Sequence, residues 1–130
     1  MKQVKYCLDT HPLIWYFTGT KTLSSSAKSA LDEIFSGKAR GILSVIIPLE
    51  VFHFSLKYPK FDFRGFLMHL KQGSFSLVSL DSVILKYCYQ LPKTMEIHDR
   101  IIASTCLVTK SVLVTKDPVI RALKTVKTIW

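Results

Sequence analysis

The sequence predicts an α/β fold, a layered domain built on a central, mainly parallel sheet. Short apolar runs that suit strands alternate with longer segments of helical periodicity along all 130 residues, the order that gives parallel strands joined by helical crossovers. A hydrophobic content of 48% is enough for one packed core, since a chain of this size buries roughly two-thirds of its unfolded surface. No repeat, low-complexity tract or linker divides the chain, so residues 1–130 are expected to form a single domain.

Each element follows from local chemistry. Val4 to Leu8 is short, apolar and compatible with a first strand, and it stops at Asp9-Thr10. Pro12 is placed for the first turn of a helix through Leu13, Ile14, Trp15 and Phe17, where proline forfeits no intrahelical hydrogen bond. A second helix starts behind a Ser-rich cap at Ser24, with Ala27, Ala30, Leu31, Ile34 and Phe35 at helical spacing, and Gly37 ends it. Gly41 to Val45 is a second strand. Pro48 then opens a third helix through Glu50, Val51, Phe52, Phe54 and Leu56, closed by Tyr58-Pro59. Phe63, Phe66, Leu67 and Leu70 make a short fourth helix ending near Gly73, and Phe75, Leu77, Val78 and Leu80 make a third strand that Asp81-Ser82 terminates. Val83 to Leu91 is helical again. The nearly continuous apolar stretch Ile101 to Val108, with Asp99 at its head, reads as a buried helix. Val112 to Val114 is a fourth strand, Asp117-Pro118 turns into a short helix over Val119 to Leu123, and Val126 to Ile129 is a fifth strand at the edge.

Eighteen Lys and Arg against nine Asp and Glu leave a net charge of +9. That balance favours an anionic partner, nucleic acid ahead of membrane lipid, and the apolar content excludes a disordered tail. Cys7, Cys88 and Cys106 are odd in number, widely spaced and set in apolar contexts, which argues against a disulfide framework or a CxxC metal site. They are expected as reduced core residues of an intracellular protein. Met1 to Leu8 carries Lys2 and Lys5 but no apolar run of signal-peptide length, and no segment reaches the roughly 18 apolar residues of a membrane span. A soluble, cytoplasmic protein without membrane attachment is expected.

In a fold of this class the ligand site lies outside the carboxyl ends of the strands, and that rule sorts the nine acids. Asp9 directly follows the first strand, Asp117 follows the fourth within three residues, and Asp99 opens the helix that feeds the fourth. Glu50 sits in the helix after the second strand, flanked by Ile46, Ile47, Leu49, Val51 and Phe52, a setting in which a carboxylate is seldom buried unless paired or bound to metal. Four carboxylates from distant stretches thus converge on one edge of the sheet. Their repulsion is tolerated when divalent cations neutralise it, and oxygen ligands with water suit Mg²⁺ or Mn²⁺. Such a centre supports hydrolysis of phosphodiesters, with the basic remainder of the chain holding the nucleic-acid backbone.

Each of these residues also has a structural reading. Asp9 and Asp117 suit helix caps, and Asp99 complements a helix dipole. Asp81 ends a strand expected at the sheet edge and reads as a cap, while Asp32, Glu33 and Asp62 fall on solvated helix faces. Glu96, three residues before Asp99, borders the site. His11 and His98 adjoin the acids but read as structural, and His53 and His69 lack zinc-ligand spacing with any cysteine. The aromatic run Phe52, Phe54, Tyr58, Phe61, Phe63 and Phe66 is mostly core, with part of it available to a dimer or partner-protein surface.

Four segments in order, LDTHPLIWYF, LSVIIPLEV, IHDRIIAST and LVTKDPVI, carry Asp9, Glu50, Asp99 and Asp117. Together they resemble the PIN-domain ribonucleases, and among these the VapC-type toxins of toxin-antitoxin pairs, over almost the whole chain. The resemblance implies a three-layer α/β/α sandwich around about five mainly parallel strands, and a metal-dependent endoribonuclease using Mg²⁺ or Mn²⁺. It implies Asp9, Glu50, Asp99 and Asp117 as the catalytic metal-site acids, with Thr10, Thr115 and Arg100 beside the site or the substrate. The implied partners are RNA, a small inhibitory antitoxin bound across a helical groove, and a second copy in a homodimer. Two departures stand out: Glu96-Ile97-His98-Asp99-Arg100 replaces the Asp-Pro-x-Asp-Arg common in the toxin branch, and Pro48 lies where a polar residue is usual.

Two other classes compete. A phosphoacceptor receiver domain wants paired acids after the first strand, whereas Asp9 is followed by Thr10, and its late lysine does not precede an acid as Lys116 does. A non-catalytic RNA-binding or protein-interaction module would keep the acids only as caps.

Overall fold

The structure, a computed structural model, describes residues 3–130, so Met1 and Lys2 of the N-terminal segment considered above lie outside the described residues. Strands β1 (Val4–Leu8), β2 (Ala39–Ser44), β3 (Phe75–Val78), β4 (Val112–Val114) and β5 (Thr128–Ile129) form one sheet. The helices between them are α1 (Thr10–Thr18), α2 (Ser25–Phe35), α3 (Ile46–Lys57), α4 (Phe63–Gln72), α5 (Ser82–Gln90), α6 (Ile97–Thr109) and α7 (Pro118–Arg121). The strand order is β3-β2-β1-β4-β5, and every pairing is parallel rather than merely most of them.

The order reverses at β1. Right-handed crossovers therefore send the connections β1 to β2 to β3 over one face and β3 to β4 to β5 over the other, which makes three layers. Between them lies one main core: Cys7 and Leu8 of β1, Leu113 and Val114 of β4, and Leu43 of β2 meet Leu13, Leu31, Ile34, Ile47 and Phe66 from one helical layer and Ile102 and Ala103 from the other. A second, small cluster of Ile84, Cys88 and Ile101 fastens α5 to α6. All three cysteines are free and buried, and burial pushes the Cys106 thiol up to about 11, so they behave as core thiols.

Most element ends are set by side chains that cap them. Ser24 accepts from the Ala27 amide at 3.1 Å, Asp62 from the Gly65 amide at 2.9 Å and Asp81 from the Ile84 amide at 3.0 Å, each occupying a donor that the first helical turn leaves orphaned. Asp81 is thus a cap behind an edge strand, as its position predicts.

Several boundaries differ from expectation. Helix α3 begins at Ile46, before Pro48. Ser44 Oγ accepts from the Ile46 amide at 3.3 Å and starts the helix early, and Pro48 sits in the first turn, where its missing N–H is not needed. Likewise α6 begins at Ile97, because Glu96 caps it, and this moves Asp99 inside the first turn. Strand β2 is longer at its start and β3 stops at Val78. Gly41 pairs with Phe75, and a Cβ there would run into the Phe75 ring, so a larger residue at this position would displace that ring.

Candidate active site

The reversal of strand order at β1 opens a crevice at the carboxyl ends of β1 and β4, where α/β sheets place their ligands. Asp9 and Asp117 stand on its two sides. The Asp9 amide extends the β1–β4 ladder by donating to the Val114 carbonyl at 3.2 Å, which brings Asp9 against Thr115. The Thr115 hydroxyl donates to Asp9 Oδ2 at 2.7 Å and accepts from the Asp117 amide at 3.0 Å. Thr115 is fully buried, so one immobilised hydroxyl orients both acidic loops.

Each acid is also tied to its own element. Asp9 Oδ1 accepts from the Thr10 amide at 2.8 Å, and Asp117 Oδ1 accepts from the amides of Val119 at 2.8 Å and Ile120 at 3.3 Å. Asp9 and Asp117 are therefore caps and members of the cluster at once. The two readings of these residues are not alternatives, because a cap engages one carboxylate oxygen and leaves lone pairs for a second role.

Glu50, on the fifth position of α3, is half-buried. Its Oε1 is buried without a hydrogen-bond partner, and so is the Thr10 hydroxyl. Burial pushes the Glu50 carboxyl above the usual range; His98 and Thr10 oppose this, and the charges of Asp9 and Glu96 add to it. Asp99 is pushed up to about 6, first by burial and then by Asp117, Asp9, Glu96 and Glu50. Four acids thus act on one carboxyl, which places Asp9, Glu50, Glu96 and Asp117 all within electrostatic reach of Asp99.

Among the described residues no three His, Cys, Asp or Glu side chains close into a ready-made metal cage. The donor set nevertheless fits a hard divalent cation. Mg²⁺ in particular keeps several waters and takes one or two carboxylates plus substrate phosphates instead of an all-protein cage. An all-oxygen cluster in which burial and neighbouring charge both disfavour ionisation of Glu50 and Asp99, with Glu50 Oε1 buried and unpartnered, is the arrangement such an ion relieves.

A scan against protein-family models matches the PIN domain over residues 6–125, and this stretch contains Asp9, Glu50, Asp99 and Asp117. The chain belongs to the PIN-domain family. PIN domains are nucleases that generally use divalent metal ions. Solved structures similar to this PIN domain include VapBC2 from Rickettsia felis, bound to a DNA fragment from its promoter, at 15% identity and a TM-score of 0.73, covering 97% of this chain and 98% of that one. A toxin-antitoxin complex from Klebsiella pneumoniae is similar at 21% identity and a TM-score of 0.73, over 96% of both chains. VapBC-1 from nontypeable Haemophilus influenzae is similar at 15% identity and a TM-score of 0.66, over 97% of both. At these identities the likeness is one of fold. No curated protein matches the sequence.

Arg100 requires a correction. Its guanidinium does not hang free beside the acids of the PIN domain: it donates to the carbonyls of Cys88 at 2.8 Å, Leu91 at 3.1 Å, Pro92 at 2.6 Å and Met95 at 3.1 Å. Four of the five donors of the planar fork tie the α5–α6 connection. The family resemblance implied a place beside the site or the substrate, but neighbours on a helix face directions about 100° apart, and α6 turns Arg100 toward α5. Arg100→Met, which keeps the stem, is expected to cost about 2–3 kcal/mol. Urea denaturation should register it as a lower midpoint at unchanged slope.

Glu96 accepts from the amides of His98 at 2.8 Å and Asp99 at 3.1 Å, so it both caps α6 and borders the site. His98 Nδ1 lies 3.2 Å from Glu96 Oε1. Trp15 and Lys116 were not singled out from the sequence, yet they share a cavity with Asp9 and Asp117. The available signal was spacing, since Trp15 follows His11 by four residues on α1 and Lys116 directly precedes Asp117. Of the aromatic run, Phe66 is buried and Phe54, Phe61 and Phe63 pack against the core, whereas Phe52 and Tyr58 are exposed.

Proposed function

We propose that this PIN domain is a metal-dependent endoribonuclease and the toxin of a toxin-antitoxin pair, with Asp9, Glu50, Asp99 and Asp117 as the ligands of Mg²⁺ or Mn²⁺. The observation that carries the reading is the gathering of acids around Asp99 at the sheet's switch point: its carboxyl is raised first by burial and then by the charges of Asp117, Asp9, Glu96 and Glu50. A purely structural set of caps gains nothing from lying so close together, whereas a bound cation offsets the repulsion between them. When bound, the ion polarises a phosphoryl oxygen and lowers the pKa of an attacking water.

The chain's own groups prepare this. Thr115 holds Asp9 and Asp117 at a set separation. The Thr10 hydroxyl acts on the Glu50 carboxyl, and the caps on α1, α6 and α7 fix Asp9, Glu96 and Asp117 in place against their mutual repulsion. Positive charge elsewhere on the surface, within a net +9, holds the phosphate backbone. RNA as substrate, action in the cytoplasm and inhibition by a small antitoxin follow the toxin-antitoxin reading of the fold. No helix among the described residues is long and apolar enough to cross a membrane. Exposed Leu49, Phe52 and Leu56 on α3 and Val83 and Leu85 on α5 supply apolar surface for protein partners, including a second copy in a homodimer.

Purified protein is expected to cleave single-stranded or loop RNA with millimolar Mn²⁺ or Mg²⁺ and to stop when the metal is chelated. Cleavage that survives chelation would sink the metal mechanism. RNA binding without cleavage at any metal concentration would favour the non-catalytic module. Thr115→Val is expected to lower cleavage about 10–100-fold, since it strips the support from two ligands, while Thr115→Ser, which keeps the hydroxyl, retains most activity. Equal rates for both variants would remove Thr115 from the mechanism.

A further inference from the structure

Beside the acids, on the side of α1, lies a cavity of about 380 Å³ that shares Asp9 and Asp117 with the cluster and is otherwise walled by His11, Pro12, Trp15 and Lys116, with Pro118 at its rim. Its size falls in the range of small-ligand pockets. The His11 and Trp15 rings stand 5.5 Å apart at 43°, and Lys116 Nζ lies 5.9 Å from the Trp15 ring centroid. An aromatic ring with a flexible ammonium over it suits a planar base that carries a phosphate: the base takes the place over the ring, and the lysine swings out to meet the anion.

The opposite side of the acids is different. There, Glu50 and His98 share a cavity with Ile46, Leu49, Phe52 and His53, without a lysine or arginine. On the α1 side the basic character continues, because Trp15 also walls a second cavity of about 450 Å³ that includes Thr20, Lys21 and Lys28. Lys28 pairs with Asp32 at 3.1 Å, which leaves Lys21 as the cation further along. Trp15 is the residue common to both cavities.

We propose that the cavity of His11, Trp15 and Lys116 is a subsite for the nucleotide next to the scissile phosphate, with Trp15 stacking its base and Lys116 pairing with its phosphate. The proposal rests on the nuclease reading and adds to it a strand direction: the bound RNA leaves the acids over α1 toward Lys21. Sequence preference at that nucleotide is then weak, because every base offers a face to stack.

The test uses the full chain, Mn²⁺ and a short single-stranded oligoribonucleotide. Trp15→Leu should raise KM about tenfold, the scale of one lost base stack, with kcat changed less than about twofold, as expected for binding shared by ground and transition states. Trp15→Phe should restore KM to near the wild-type value. Lys116→Gln, at an exposed position, should raise KM and lower the salt dependence of binding by about one counterion. Independently, the same oligoribonucleotide without added metal should quench Trp15 emission in a Trp130→Phe background, since Trp130 contacts Trp15 at 5.8 Å and would otherwise add its own signal. Unchanged KM in Trp15→Leu and Lys116→Gln, with the wild type active, would overturn the subsite and leave the nuclease standing. An inactive wild type whose Trp15 is still quenched would overturn the nuclease and keep the subsite. Absence of quenching would overturn the subsite.

Discussion

Asp9→Asn is expected to reduce RNA cleavage by more than about 100-fold while leaving the fold intact. The variant separates the two roles of this residue. Asparagine caps helices as well as aspartate does, so its amide oxygen can keep the Thr10 amide, now held at 2.8 Å. Its NH₂ then faces the Thr115 hydroxyl, which has lone pairs for both that donor and the Asp117 amide once it no longer donates to Asp9. The contacts at Thr10, Thr115 and Asp117 are kept and only the Thr115 hydroxyl proton loses its acceptor, a modest cost beside the lost negative charge. Losses of 10–100-fold are typical when only the support of a metal ligand is removed, and a missing ligand exceeds that. Cleavage kinetics and thermal melting on the same preparation would check it. Near-normal cleavage by a well-folded variant would return Asp9 to the status of a cap.

Asp99→Asn is expected to stabilise the metal-free protein above pH 6 and to abolish its response to metal. In the folded chain the Asp99 carboxyl titrates at about 6 against an ordinary 3.8, so between these values the folded state binds more protons than the unfolded one. Stability therefore falls as pH rises through this window and stays low above it. The residue is only partly buried, and solvent screening together with the lost favourable charge at the α6 N-terminus reduces the gain to the order of 1 kcal/mol. That corresponds to roughly 3–5 °C in Tm for a domain of this size. Mn²⁺ at a hundred times its Kd should add about 2.7 kcal/mol to the wild type and far less to the variant. Scanning calorimetry at pH 4.5 and 8, with and without Mn²⁺, reads all of this. A variant less stable than wild type at pH 8, or one with the same Mn²⁺ shift, would contradict the proposed role.

The legible parts of the fold were those that depend on neighbours in the chain. Strand β1 ending at Asp9, helix α2 capped by Ser24 and stopped before Gly37, and the turn at Asp117-Pro118 all rest on local hydrogen bonds and backbone preferences, and the structure contains each of them. The misplaced boundaries have local causes too, but weaker ones. At α3 the sequence contains two competing start signals, Ser44 and Pro48, and the one that satisfies an amide prevailed over the one that merely tolerates a missing N–H.

Other features were decided at a distance. The side chain of Arg100 has the same composition and spacing whether it faces substrate or the α5–α6 connection. Only the packing of Ile84, Cys88 and Ile101 selects the second. Similarly, Trp15 reads as one more apolar residue of α1 until the β1–β4 pairing brings Lys116 within 5.9 Å of its ring.

The sequence by itself determined the alternation of strands and helices and several of the caps, because these follow from residue type and short-range spacing. Tertiary structure decided which acids meet. Asp9 and Thr115 are 106 residues apart, and their 2.7 Å contact exists because the strand order reverses at β1 and seats β4 beside it. That order is chosen by how the whole core packs, a non-local free energy that no segment carries alone.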